Sequence, residues 1–189
     1  IETLFPSVPK EEREILENCP TKIYTIGSII VKRNSRNDTV YLLLKGLVEL
    51  IAAEFNIRNV LNVGALFGEY SAYNDTPSDR TYRAASFVLT LEIPVHLYRL
   101  FLERNELVTV TKHHLPRKHF LQSTPLFGDS ISGDLQDEMT SQLKEERLPA
   151  DSVVDLKKDG SLALVRERAV HVTYRGRKIG TVSKGHCFG

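Results

Sequence analysis

Between Phe67 and Ala84 the chain runs FGEYSAYNDTPSDRTYRA, placing a glycine, a carboxylate and an arginine within one short span. Together these residue types could wrap a phosphorylated sugar. Gly68 has no side chain, so backbone amides beside it can approach a phosphate closely. A short helix opening near Glu69 would add further amides and the positive end of a dipole. The Glu69 carboxylate can accept a hydrogen bond from a sugar hydroxyl, and the planar fork of Arg80 suits phosphate oxygens. A plainer chemistry fits the same residues. Glu69 could cap a helix start, worth about 0.5–2 kcal/mol, and Arg80 could pair with Asp79, Asp75 or Glu92 on a solvated loop.

Residues 9–18 read as a helix, with Pro9 near the first turn and Glu11, Glu12 and Glu14 toward its positive end. From Ile23 to Ile93 short β-rich runs, SIIVKR, TVYLLL, LVELIAA, RNVLNV and SFVLTLEI, are cut by Gly, Asn, Asp and Pro. Pro94 then opens a helix whose Leu97, Tyr98, Phe101 and Leu102 share a face. The helical pattern breaks near Glu103–Glu106, resumes through LVTVTKHHL, and is expected to kink or end at Pro116. A helical connector over about 94–122 therefore follows the β-rich segment.

The chain also repeats itself. Leu4-Phe5 returns as Leu126-Phe127, YTIGSII as LPADSVV, LLLKGLVEL as LVRERAVHV, and GALFG as GHCFG, at an offset that stays at about 122 residues. YTIGSII and LPADSVV each read as a turn leading into a β-branched strand. The expectation is two copies of one domain, residues 1–118 and 119–189. The second copy is incomplete, because Gly189 matches Gly68. In that copy the turn glycine Gly46 is replaced by Arg168, a less comfortable residue in a tight hairpin. The fold class expected is mainly β with helical flanks: two tandem antiparallel β-rolls of jelly-roll type, the second truncated.

Composition excludes several functions. At 189 residues, 41% hydrophobic, 26% charged and net charge +1, the chain reads as globular, without the basic excess of a nucleic-acid surface. No apolar run approaches the ~20 residues of a membrane span. Cys19 and Cys187 lie far apart with no metal-ligand spacing, and are expected to be reduced in a cytoplasmic protein. The basic run KHHLPRKH, residues 112–119, lacks the i, i+4 histidine pair of a helical metal site and reads as a solvated linker able to touch an acidic partner. No nucleophile–base arrangement or phosphate-loop motif occurs, so the chain is not expected to be an enzyme. Opening on Ile1, it reads as a piece of a longer protein.

The order helix, strands, FGE cassette, TP…T.RA and helical hinge resembles the cyclic nucleotide-binding domain. That family includes regulatory subunits of cAMP-dependent kinase, cyclic-nucleotide-gated channels and catabolite activator-like proteins. The resemblance implies a ligand, cAMP or cGMP, that meets Gly68, Glu69, Tyr70, Ser71, Ser78, Arg80 and Thr81, with Glu69 on the ribose 2′-hydroxyl. In the family the phosphate arginine directly follows a proline. An ungapped match through Thr76-Pro77, Thr81 and Ala84 puts Ser78 there, with Asp79 beside it and Arg80 two residues late. A second alignment, with two extra loop residues, restores Arg80-Thr81 to the Arg-Thr of the channels and the cGMP kinase, and leans toward cGMP. Tyr70 and Tyr73 are read as packing residues, and Arg83 as a strand-face residue in solvent or an ion pair.

Two functions follow. One is a regulatory module that senses a cyclic nucleotide in the first copy and signals by movement of the helix after it, to an attached or separate effector domain or through a homo-oligomer. The other is a structural or protein-interaction module that keeps the fold without the ligand. Neither needs a cofactor.

Overall fold

The computed structural model describes residues 1–52, 57–128, 133–154 and 161–189. Helix α1 (Lys10–Glu17) opens the chain, with Pro9 just before its first turn, where a missing N–H costs nothing. Strands β1 (Thr21–Tyr24), β2 (Ile29–Val31), β3 (Thr39–Lys45), β4 (Val48–Ala52), β5 (Ile57–Leu61) and β6 (Leu66–Phe67) follow. The short helix α2 (Glu69–Asn74) separates β6 from β7 (Arg80–Ala84) and β8 (Val88–Pro94). These strands form two four-stranded antiparallel sheets, ordered β1-β8-β3-β6 and β2-β7-β4-β5.

β3 is apolar on both faces, and both are used. Val40 and Leu42 pack toward α1 and α3 (Val95–Arg104), in a cluster with Leu16, Phe101 and Leu102. Tyr41 and Leu43, at the alternate positions, face the interior of the roll with Leu50, Phe67 and Tyr82. The Tyr41 and Phe67 rings stack with centroids 5.1 Å apart. Each fully buried Leu or Phe here contributes about 1.5–3 kcal/mol of apolar burial.

The helical pattern after β8 breaks where the sequence indicates, between α3 and α4 (Val108–Leu121). Pro116 is the exception to expectation, because α4 continues through it to Leu121. The proline removes one helix hydrogen bond, but side-chain bonds on both sides of it hold the helix: His114 and Lys118 to Asp137, and His119 to Asp79. Next come α5 (Pro125–Gly128) and α6 (Gly133–Gln142). α6 packs on α4 around Leu121, Gln136 and Thr140, each almost wholly buried.

The remaining strands are β9 (Ala163–Leu164), β10 (Ala169–Tyr174), β11 (Arg177–Ser183) and β12 (Cys187–Phe188). Their pairing reproduces that of β3 to β6. Tyr41 pairs with Phe67 and Leu42 with Leu66; Ala163 pairs with Phe188 and Leu164 with Cys187. Gly64 N donates to Leu43 O at 2.8 Å, and Gly185 N to Val165 O at 2.8 Å. Arg168 adopts a φ of 62°, in the left-handed region that Gly46 also occupies. LPADSVV behaves differently from YTIGSII: a turn forms at Ala150–Asp151 but residues 152–154 are not a strand, and the continuation at 155–160 lies outside the described residues. Cys19 is buried, Cys187 half-buried, and both are free thiols.

Candidate functional site

The cassette begins where β6 ends. Gly68 has φ 72°, and a Cβ there would lie 2.9 Å from Asn37 Nδ2 and 3.0 Å from the Tyr41 ring. Both the conformation and the space require glycine. Asn37, in the β2–β3 loop, donates from Nδ2 to the Gly68 and Thr39 carbonyls at 2.8 Å each, which ties the cassette to β3. Ser71 is buried and donates from Oγ back to Gly68 O at 3.1 Å. At the other end of α2, Asp75 turns left-handed, and Arg99 of α3 donates to the Tyr73 carbonyl at 2.7 Å.

β7 then carries its side chains alternately inward and outward. Arg80, Tyr82 and Ala84 are buried; Thr81 and Arg83 are half-buried on the other face. Ser78 is also buried, but its Oγ donates to Arg80 O at 2.8 Å and its backbone bonds to Asn34 and Ser35 of the β2–β3 turn. Thr81 Oγ1 accepts from Arg33 N at 3.2 Å, on the far side of the strand from Arg80. Arg83 forms an ion pair with Glu49 on the neighbouring strand, as a strand-face arginine should.

Glu69 and Arg80 are thus drawn into the protein from opposite ends of the cassette, and α4 lies against both. Glu69 is 8% exposed, and burial pushes its carboxyl above the ordinary range despite the Lys118 ammonium 3.8 Å away. Lys118, also buried, makes its closer contact to Asp137 of α6 at 2.8 Å. Burial would lower the Lys118 ammonium, but the two carboxylates outweigh it and hold it above its usual value. Burial would likewise raise Asp137, yet the His114 bond and the Lys118 charge bring it below the carboxylate norm.

Arg80 is 1% exposed, the largest fully buried side chain among the described residues. Its Nε donates to Asp79 Oδ1 at 3.1 Å, Nη1 to Gln122 Oε1 at 3.2 Å, and Nη2 to Ser123 Oγ at 2.8 Å. Nη2 also lies 2.8 Å from His119 Nε2 and 3.2 Å from His119 O. Asp79, which burial would raise, is held well below the carboxylate range by His119 and Arg80. The His119 ring stacks on Tyr70 with centroids 3.8 Å apart, so Tyr70 packs against the connector helix.

Between these groups lies a cavity of about 10 Å³, bordered by Phe67, Glu69, Tyr82, Leu115, Lys118 and Gln122. That is room for about one water molecule. Of the sequence candidates, Glu69, Tyr70 and Arg80 converge under α4; Gly68 and Ser71 shape the turn; Ser78 is bound to the β2–β3 loop and Thr81 faces away. Sequence reasoning missed Lys118, His119, Gln122 and Ser123, having read residues 112–119 as a solvated linker. A signal was present, since Leu115, Lys118 and Gln122 fall at i, i+3 and i+7 on one helix stripe. Among the described residues no cluster of His, Cys, Asp or Glu could hold a metal.

The family model for the cyclic nucleotide-binding domain matches residues 21–105, which take in both sheets, the cassette and α3. Over these residues the chain is similar to a cyclic nucleotide-binding domain. Solved structures of this fold agree in architecture. Cyclic-AMP-bound PfPKA-R aligns with a TM-score of 0.53 and 19% identity, over 98% of this chain and 67% of that one. PKAR CBD2 with bound Sp-2Cl-cAMPS gives 0.56 and 18%, over 68% and 86%. The Thermus thermophilus catabolite activator protein gives 0.53 and 21%, over 73% of this chain, which spans 62% of that protein's length. At these identities the likeness speaks for the fold. No curated protein matches the sequence. Cyclic nucleotide-binding domains are regulatory rather than catalytic, and no helix among the described residues is long and apolar enough to cross a membrane.

Proposed function

We propose that this chain is a regulatory module that senses cAMP or cGMP in its first β-roll, residues 1–118, and transmits binding by movement of α4. The observation that carries the reading is the joint burial of Glu69 and Arg80 under one helix. In this reading Glu69 accepts from the ribose 2′-hydroxyl, and Arg80, two residues beyond the family's usual position, meets the phosphate. Gly68, Tyr70 and Ser71 form the cassette turn, and Ser78 and Thr81 bound the site through the β2–β3 loop. A nucleotide cannot enter a cavity of about 10 Å³, so α4 must move for it to bind.

Movement of α4 has a direct route onward. Lys118 joins Glu69 to Asp137, and Gln122 joins Arg80 to Gln136 of α6 at 3.4 Å. A ligand that takes Glu69 or Arg80 from α4 therefore changes what α6 is bonded to, which gives the two-state coupling a sensor needs. We read residues 119–189 as a second, incomplete copy of the domain, supported by the recurring β3–β6 and β9–β12 register. The signal would pass through it to an effector domain on the same protein or a separate one, or between copies of the chain, in the cytoplasm.

A second reading is a module that keeps the fold without a ligand. The complete internal bonding of Arg80 favours it. Thermal unfolding with excess cAMP, then cGMP, separates the two. A ligand at 100 times its Kd stabilises by about 2.7 kcal/mol, roughly 5–10 °C here, and the shift should vanish in Glu69→Ala and Arg80→Ala. No shift at millimolar nucleotide selects the ligand-free module.

A further inference from the structure

Each nitrogen of the Arg80 guanidinium is already engaged, and most of its partners come from one place. Apart from Asp79 they are His119, Gln122 and Ser123, on the last turn of α4 and the residues just beyond it. These groups are neutral oxygen acceptors and an imidazole, arranged around a fork whose geometry suits a phosphate. Ser123 Oγ in turn donates to His119 O at 2.9 Å, which orients its lone pairs toward Nη2. Gln122 is fixed from behind by donating to Gln136 Oε1, and Gln136 donates on to Phe127 O at 2.8 Å. Gln122, Ser123 and Gln136 are all nearly inaccessible to water. A buried arginine needs such acceptors, since leaving its donors unsatisfied costs far more than an ordinary hydrogen bond gains.

We propose that Gln122 and Ser123 act as a tethered competitor of the ligand's phosphate for Arg80, and so set the nucleotide affinity of the site. The proposal rests on the reading that Arg80 is the phosphate arginine. The oxygens of Gln122 and Ser123 occupy the donors that phosphate oxygens would take, at a high effective concentration because α4 is covalently part of the chain. Nucleotide binds only when α4 releases Arg80, and its apparent affinity is reduced by the fraction of time α4 holds on. The device differs from a lid that closes over a bound ligand: here the helix end stands in the ligand's place.

Opposite substitutions at one position test this. Gln122→Met removes the acceptor at similar volume, and with Ser123→Ala it should tighten cAMP binding by about tenfold or more, since two charge-assisted bonds to Arg80 are lost and one alone is worth about that factor. Gln122→Glu gives Arg80 a carboxylate partner and should weaken cAMP binding by about as much. A purely structural role for Gln122 would shift both variants in the same direction, and that result, or no change in either, overturns the proposal. Phenylglyoxal labelling of Arg80, read by peptide mass spectrometry without nucleotide, gives an independent measure. Arg80 should be protected in the parent chain and in Gln122→Glu, and reactive in Gln122→Met/Ser123→Ala. If no variant binds cAMP or cGMP but the labelling follows this order, the nucleotide reading fails while α4 is still what holds Arg80. Protection of Arg80 in the double variant overturns the competitor outright.

Discussion

Replacing Lys118 by methionine isolates the electrostatics of the site. The side chain keeps its length beside the small cavity it borders with Leu115 and Tyr82 but loses the charge between two carboxylates. At 3.8 Å from Glu69 Oε1, with an effective dielectric of about 20, the lost attraction is on the order of 4 kcal/mol. The contact to Asp137 is shorter, but that carboxylate is 36% exposed and water replaces much of the loss. Relief of the ammonium's own burial returns part of the energy, leaving a net destabilisation of about 3 kcal/mol near neutral pH, at the low end for a broken buried pair. That corresponds to a fall of roughly 6–12 °C in Tm for a chain of this length. Glu69 already has a raised carboxyl, and without Lys118 it rises further. A group with a raised folded pKa favours the folded state as pH falls, so the deficit should shrink as pH is lowered from neutral to about 5. Urea unfolding at the two pH values measures it, and Glu69→Gln in the Lys118→Met background should restore most of the loss at neutral pH. A deficit below about 1 kcal/mol, or one that does not change with pH, would refute the claim that Lys118 compensates a buried Glu69.

Two further outcomes follow from the same geometry. Gly68→Ala forces an alanine into φ 72° and sets its Cβ 2.9 Å from Asn37 Nδ2; it should cost about 1–2 kcal/mol in denaturant unfolding, more than the same change at Gly180, which has open space. Asp79 and Asp137 have lowered carboxyls, so their contribution to α4 docking is present above the ordinary value of 3.8 and is lost as pH falls below it. The hydrogen-exchange protection factors of residues 108–121, taken relative to the intrinsic rate at each pH, should therefore fall in acid before those of β3 and β8, and Asp137→Asn should remove part of that pH dependence.

The β-roll over residues 21–94 was legible because its signals are local. Apolar runs bounded by Gly, Asn and Pro gave β2 to β5 and β8 to within a few residues, and Gly68-Glu69 gave the cassette turn. β1 was less plain, since Thr21–Tyr24 is largely exposed on one edge of its sheet and has little apolar pattern to show. The site's other half was hidden for a different reason. Arg80 meets residues 119–123 only through tertiary packing, and Lys118, His119 and Gln122 have the composition of a solvated face. α4 likewise runs through Pro116 because Asp79 and Asp137 grip it from outside, which no propensity within the helix encodes. The segments matched at an offset of about 122 residues share a turn conformation that their sequences do not show: Arg168 takes the left-handed φ that Gly46 takes between β3 and β4.

If α4 stands where nucleotide binds, the two must exclude one another at the cassette. Amide hydrogen exchange of peptides covering residues 108–121, with and without saturating cAMP or cGMP, tests it most directly. Exchange in α4 should be faster when nucleotide is bound, with β3 and β8 unchanged; nucleotide binding that leaves α4 as protected as before would mean that the helix and the ligand do not compete.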